Sequence, residues 1–408
     1  MLPLIDFLRQ NAHWLLAGFL LTFASSFGQT FFIAVFAGEI RAEFNLTHGQ
    51  WGGIYALATT ASALVMVQMG GLTDRLRVRV IGIGVLLGLA GAALSMAVVS
   101  QLWALVVVIF LLRLMGQGMM SHVAMVAMAR WFIATRGRAV SIAGLGVATG
   151  EALLPLGFVA LMGVFDWRML WVGAAITLAL LAPILLTLLH RERTPQSFAT
   201  DSGAAGFDGT MWTRARVLRH PVFWCMLPAL LGPAAWNTAF FFHQVHLAEA
   251  KGWQHVTLVA MFPVYTSVSI SFMLIAGWLI DRFGSRGVTR YYLLLMAVGY
   301  VVFGLTATPL WAGVALAIIG GGVGIHVTLM STLWADLFGT RHLGSIRAMQ
   351  AAFMVLGTAI GPAATGTLID LGLTFPQQSF GIAFYFLGAT SLAFMAMRKV
   401  AEPGQKTA

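Results

Sequence analysis

Twelve apolar stretches, each near the length a helix needs to cross a bilayer, follow one another along this chain. A spanning helix takes roughly 20 residues. In hydrocarbon the backbone polar groups must be satisfied within the segment, so stretches of this kind form helices. The first half holds them at about 14–36, 51–69, 80–99, 102–129, 139–163 and 168–189. The second holds them at about 222–246, 256–280, 288–308, 310–334, 347–371 and 379–397. The expected fold class is an all-α membrane protein with twelve transmembrane helices in two six-helix, pseudo-symmetric bundles. Composition agrees: 59% of residues are hydrophobic and 9% charged, against about 25% charged in soluble domains. No cleavable leader is expected, since Met1 to Asn11 carries scattered charges and Ala17 to Phe36 exceeds a signal core. The single cysteine, Cys225, excludes an intrachain disulfide and a cysteine metal cluster.

The net charge of +10 does not point to nucleic acid, because the basic residues punctuate apolar segments instead of lining a soluble face. With the amino terminus placed in the cytoplasm, 20 of the 24 Lys and Arg residues fall on the cytoplasmic side. Only Arg41, Arg168 and Lys251 fall outside, and Arg113 lies within the fourth span. This bias is a positive-inside signal. Both termini are therefore expected in the cytoplasm, with the chain in the cell inner membrane. The longest polar stretch, 190–220, separates a bundle at 1–189 from a second at 221–408, which ends in a short tail. Residues 208–219 are expected to form a short amphipathic helix on the inner surface.

The halves repeat. Gly70-Gly71-Leu72-Thr73-Asp74-Arg75 and Gly277-Trp278-Leu279-Ile280-Asp281-Arg282 share the form G-x-x-x-D-R, each with an Arg four residues later, Arg79 and Arg286. The Asp-Arg pairs lie 207 residues apart. Gly116-Gln117-Gly118 matches Gly322-Val323-Gly324, and Phe132 to Arg136 matches Phe338 to Arg341. Gly150 and Pro155 in the fifth span have a counterpart in Gly361-Pro362 of the eleventh. Parallel six-helix repeats with a substrate site between them are one transporter architecture.

At these residues the chain resembles the major facilitator superfamily over its whole length. Arg113-x-x-Gly116-Gln117-Gly118 is similar to that family's second motif. Arg136-Gly137-Arg138-Ala139 leading into Gly144, Gly146, Gly150 and Pro155 resembles the monocarboxylate and oxalate/formate branch. So does Gly357-x-x-x-Gly361-Pro362 with Gly366 and Asp370. There are departures. Arg77 stands where the family has Gly, so distortion of the first turn is expected. The drug-antiporter pattern of the fifth span is not met, and the eighth span lacks the Asp and Arg of animal monocarboxylate carriers.

The resemblance implies a secondary transporter working by rocker-switch alternating access, and a gating role for the paired loops. The gating set is Gly70, Asp74, Arg75, Arg79, Gly277, Asp281, Arg282 and Arg286. Gly70 and Gly277 are expected where backbones approach closely. Asp74 and Asp281 can accept from a helix amino terminus and pair with Arg. The alternative is that these charges only fix topology.

Arg113 and Glu151 are the deep ionisable residues, and a charge at such depth normally faces a cavity or a partner. Arg113, with Gln117 one α-helical turn on, can grip a carboxylate through two parallel hydrogen bonds. Glu151 is the candidate proton-coupling residue. The alternative is a structural Arg113–Glu151 pair that touches no substrate. In the seventh span Asn237 and Gln244 fall on one face, with His243 near it. His243 and His246 can equally cap the outer end of that helix. His326, Gln29 and Tyr55 complete the candidate binding set.

No cofactor, metal site or catalytic residue is expected, and no nucleotide-binding loop occurs. The expected partners are a small anionic substrate, a proton or counter-anion, and membrane lipid, with the chain acting as a monomer. The leading reading is transport of a small organic anion, such as a monocarboxylate, by proton symport or anion exchange. A proton-coupled drug or amphiphile exporter is the alternative, and a membrane sensor or intramembrane enzyme is a remote third.

Overall fold

The computed structural model describes residues 2–70, 72–132, 135–190, 206–207, 209–210, 212–339 and 342–400. Among them there is no strand. The chain divides into two compact units, Met1–Phe198 and Ala199–Ala408. The division falls inside the polar stretch 190–220, most of whose first half, 191–205, lies outside the described residues.

The first unit holds α1 to α6. Helix α1 runs Leu2–Ser25 and continues through a tight turn at Ser26–Gly28 into short helical pieces ending at Glu43. Then come α2 (His48–Met69), α3 (Val78–Val98), α4 (Leu102–Trp131), α5 (Arg136–Met162) and α6 (Trp167–Leu188). The second unit holds α7 (Pro221–Phe242), α8 (Phe262–Thr289), α9 (Tyr292–Leu305), α10 (Pro309–Phe338), α11 (Leu343–Asp370) and α12 (Phe375–Lys399). Among the described residues, nine helical segments are long and apolar enough to cross a membrane, and the bent α1 makes a tenth. The other two positions are filled by α2, 22 residues long, and α9, with 14. The chain is a multi-pass membrane protein.

Helix starts follow local chemistry. Thr47 and Gln50 form a capping box on α2, and Thr374 and Gln377 form one on α12. Each box satisfies two amide groups that the first turn leaves without partners. Asp166 accepts from the Arg168 amide at the start of α6, and Pro221 occupies the first turn of α7. In the first unit, edge-on contacts among Phe27, Phe32, Phe158 and Trp171 fill the space between α1, α5 and α6.

The expected single first span is in fact broken. Its parts, Asp6–Gly28 and Thr30–Glu43, meet at 46°, with Gln29 extended at the break (φ −86°, ψ 157°). The seventh span is also shorter than expected. Helix α7 ends at Phe242, and Gln244–Lys251 forms a separate helix. Asn237 and Gln244 therefore do not share a helix face. Of the expected helix over 208–219, Arg214–Arg219 is helical, while Asp208 and Met211 lie outside the described residues.

The last turns of α3 and α9, equivalent in the repeat, are closed by cations from different places. Arg168 donates to the carbonyls of Ala97 (2.8 Å) and Val99 (2.6 Å) and pairs with Glu43. Lys251 donates to Phe303 (3.1 Å), Gly304 (3.2 Å) and Thr306 (2.5 Å). Partial burial lowers the Lys251 ammonium below the ordinary lysine range. A cation at a helix carboxyl end meets both the unpaired carbonyls and the negative end of the dipole.

Candidate functional site

The break in α1 is held open by a backbone contact. A Cβ on Gly28 would lie 2.2 Å from the Leu112 carbonyl oxygen, and one on Gly116 would lie 2.6 Å from the Gly28 Cα. Only glycine at both positions lets α1 and α4 touch main chain to main chain. On the other side α5 approaches equally closely. A Cβ at Gly146 would meet Phe19 and Thr22, and one at Gly150 would meet Ser26. The Thr22 hydroxyl donates to the Ala143 carbonyl across that contact.

Opposite the break, α4 widens into a π-helix over Arg113–Met120. Such a segment replaces the regular i→i+4 backbone ladder with i→i+5 bonds and is common at functional sites. Arg113 stands at its start and is 2% exposed. The break releases the Gly28 carbonyl, because the amides of Phe32 and Ile33 bond Gln29 instead. The Arg113 Nη1 donates to that carbonyl (3.3 Å) and to Thr30 Oγ1 (3.4 Å). The guanidinium also lies over the Tyr55 ring, 5.1 Å from its centroid, and the Tyr55 hydroxyl meets Thr30 Oγ1 at 2.5 Å.

Among the described residues, no carboxylate lies within ion-pair distance of Arg113. The structural Arg113–Glu151 pair is therefore not formed. Glu151 sits half-buried on α5, next to the Gly150 contact. Arg113 Nε, Gln117 Oε1, Ser26 Oγ and Thr59 Oγ1 are buried without hydrogen-bond partners. An unpartnered buried polar atom costs about 1–3 kcal/mol. The four atoms are distributed over α1, α2 and α4. The π segment also changes the expected register, because Gln117 follows Arg113 by less than one π turn.

The structure thus brings Arg113 and Tyr55 together, with Gln29 at the break and Gln117 on the same π segment. It does not gather the second-half candidates. Asn237 accepts from the Tyr265 hydroxyl (3.0 Å). His243, 3% exposed, bonds the Pro362 carbonyl through Nε2 (3.1 Å). His246 accepts the Phe375 amide at the start of α12 (3.3 Å), and Gln244 bonds His255 (3.2 Å). His326 meets the Tyr292 hydroxyl through Nδ1 (3.0 Å). Sequence reasoning missed Thr30, Tyr265 and Tyr292. The scarcity of tyrosine, six residues in all, was the available signal, since a buried phenol generally finds a polar partner.

The paired loops differ from expectation. Gly277 lies within α8, and a Cβ there would meet nothing within 4 Å, so no close approach requires it. Gly70, in contrast, ends α2 within reach of His122 Nε2. Arg77 adopts ordinary extended backbone (φ −66°, ψ 142°) as α3 begins, so the first turn has no distortion there. The second loop instead turns at Gly284 (φ 72°, ψ 155°). Asp281 is exposed, and Arg282 lies over the rings of Trp278 and Phe283. Arg79 and Arg286 are half-buried. The side chains of Asp74 and Arg75 lie outside the described residues. Arg130 donates to the Thr73 carbonyl beside them (2.7 Å).

Comparison with known proteins gives one consistent answer. The family model described as Major Facilitator Superfamily matches residues 18–362. A protein named as a probable transporter from Streptomyces coelicolor is 26% identical over 238 residues, 49% of this chain and 53% of that protein. The match thus spans about half the length of that relative. A bacterial homologue of the human lysosomal transporter Spinster, inward-facing and unoccupied, superposes with a TM-score of 0.74 at 16% identity, covering 96% of this chain and 97% of that one. The nucleoside transporter NupG superposes with a TM-score of 0.72 at 14% identity, covering 94% and 99%.

Proposed function

The chain belongs to the major facilitator superfamily, a family of multi-pass transporters and not of enzymes, and from that premise we propose that it carries a small organic anion across the membrane by rocker-switch alternating access. The observation that supports this most is Arg113. It is a buried guanidinium beside a helix break, with no carboxylate partner among the described residues and with one nitrogen unsatisfied. A planar cation of this kind suits a carboxylate ligand, and burial strengthens the contact. Tyr55, Gln29 and Gln117 complete the binding surface in this reading.

In this proposal the substrate is a monocarboxylate, in keeping with the Gly and Pro pattern of α5 and α11. Glu151, beside the same break, takes the coupled proton, with exchange against another anion as the other mode. The amino and carboxyl termini are cytoplasmic, and the 70–79 and 277–286 loops gate that side of a monomer in the inner membrane. Reconstituted protein should take up labelled monocarboxylates when a pH gradient is imposed, and Arg113→Ala should abolish uptake. Glu151→Gln should keep exchange but lose the pH drive. Proton-dependent efflux of a cationic dye with no organic-acid uptake would instead favour an amphiphile exporter.

A further inference from the structure

In the second unit, two arginines from different helices converge on one ring where α12 finishes and α9 begins. The Arg290 guanidinium, at the end of α8, lies 5.9 Å from the centroid of Phe394 on α12. That of Arg398, one turn further along α12, lies 5.8 Å from the same centroid. Tyr291 meets this ring edge-on at 6.0 Å. Cation–π contact holds both guanidiniums in place, but it gives their N–H groups no acceptor. Among the described residues, no carboxylate lies within ion-pair distance of either arginine. Two like charges held against one ring repel each other, and a shared counter-anion relieves that repulsion.

The surface beside the arginines decides the class of anion. Arg290 and Tyr291 immediately precede α9, and Arg398 is the next-to-last residue of α12, so the charges stand at the ends of two apolar helices. These helices pack on each other, with Tyr300 stacked on Phe386. Away from that contact, α9 exposes Leu294, Val298 and Leu305 along one face. Helix α12 exposes Phe384, Leu387 and Met395. Between them the surface is hollow at Gly388, where a Cβ would meet nothing within 4 Å. A soluble phosphate gains nothing from such rows, whereas acyl chains laid on them leave water. A phosphodiester above them can take forked hydrogen bonds from the guanidiniums.

We propose that the start of α9 and the end of α12 form a binding site for a phospholipid of net negative charge. Its phosphate lies between Arg290 and Arg398, and its acyl chains run along the exposed rows of α9 and α12. Tyr291, exposed at the same level, places an amphipathic ring among the headgroups. The site lies wholly within the second unit and uses neither Arg113 nor any other residue of the organic-anion reading. It therefore stands or falls separately from the substrate.

The test uses the full chain purified in detergent. It is titrated with phosphatidylglycerol, with phosphatidylcholine of the same acyl chains, and with glycerol phosphate, and bound molecules are counted by native mass spectrometry. Phosphatidylglycerol should bind about tenfold or more tightly than phosphatidylcholine, the scale set by two cations beside an anionic headgroup. Glycerol phosphate, which lacks the chains, should bind at least about tenfold more weakly than phosphatidylglycerol. Arg290→Gln/Arg398→Gln should abolish the preference between the lipids. Arg398→Gln alone changes an exposed residue at a helix end and should lower the preference about threefold or more. Arg214→Gln/Arg219→Gln is the control, since it removes the same charge from exposed positions of the short helix Arg214–Arg219, and it should keep the preference. Equal binding of the two lipids by the unaltered protein overturns the proposal. So does a preference that Arg398→Gln leaves unchanged, whether or not the double variant folds. An equal loss in the Arg214/Arg219 control would mean that net charge alone acts, and would overturn the site. Glycerol phosphate bound as tightly as phosphatidylglycerol would overturn the lipid as its occupant.

Discussion

In the first unit α1 gives up its helix around Ser26–Gln29, and a cation, Arg113, bonds the released carbonyl of Gly28. In the second unit α7 contains Pro228 and Pro233, yet runs unbroken to Phe242, and a neutral phenol, Tyr292, bonds the carbonyl of Ala229. The two halves meet the same difficulty, a backbone acceptor without its helical donor in an apolar setting. They answer it with different chemistry. A phenol bonded in this way leaves no net charge behind, whereas a guanidinium carries a charge that one carbonyl and one hydroxyl do not neutralise. A duplicated architecture can therefore keep its helices in place while only one copy retains an unbalanced charge.

The sharpest way to break this comparison is to remove each answer in turn. Arg113→Ala is expected to weaken organic-acid binding at least about a hundredfold, since it deletes a charge-assisted, forked donor. Tyr292→Phe, which removes a neutral bond to a backbone carbonyl in the other unit, should leave that binding nearly unchanged. Equal losses in a binding titration would mean that the halves contribute alike.

The next contrast concerns glycines. Gly116→Ala forces a Cβ onto the Gly28 main chain, which no rotamer can relieve, and should cost about 3 kcal/mol or more of stability. Gly277→Ala, in open space within a helix, should instead gain about 0.5–1 kcal/mol. Thermal unfolding of the two variants reads both signs. A stable Gly116→Ala protein would show that the backbone contact is dispensable.

The two loops give a third contrast. Gly284→Ala places a side chain at φ 72°, ψ 155°, a region open almost only to glycine, and should cost about 1–3 kcal/mol. Arg77→Gly changes a residue in ordinary extended backbone and should cost less than about 1 kcal/mol. If both losses came out alike, the loops would share one turn after all.

The smallest expected effects are at the helix ends. Arg168→Met and Lys251→Met should each cost about 1–2 kcal/mol. Lying in different units with no shared partner, they should add within about 0.5 kcal/mol in the double variant. A larger departure from additivity would show that the two caps are coupled.

The helices were legible because each span carries its own apolar signal. The break in α1 was not, because Ser25-Ser26-Phe27-Gly28-Gln29 contains no proline and lies within an apolar run. Proline itself misleads here. Pro155, Pro183 and Pro362 all sit inside continuous helices. That a side chain from another helix reaches a freed carbonyl, as at Gly28 and at Ala229, is recorded in no local pattern. Arg113 could be picked out as a deep charge, but its company could not. Thr30, Tyr55 and the Gly28 carbonyl lie 58 to 85 residues away in sequence. The three cations assigned to outer loops were read as topology alone. In the structure Arg41, Arg168 and Lys251 each donate to main-chain carbonyls. These three cations are thus committed to backbone chemistry.

The Gly28–Gly116 contact has a mechanical consequence. Side chains can swap rotamers and let two helices slide, but two bare backbones pressed together cannot. Rotation of Thr30–Glu43 against Leu2–Ser25 is therefore confined by the Gly28–Gly116 contact on one side and the Ser26–Gly150 contact on the other, like a lever on a fulcrum. Arg113, three residues before Gly116 on α4, stands close to the axis. A small rotation at the axis becomes a larger displacement at Glu43, which Arg168 ties to the carboxyl end of α3.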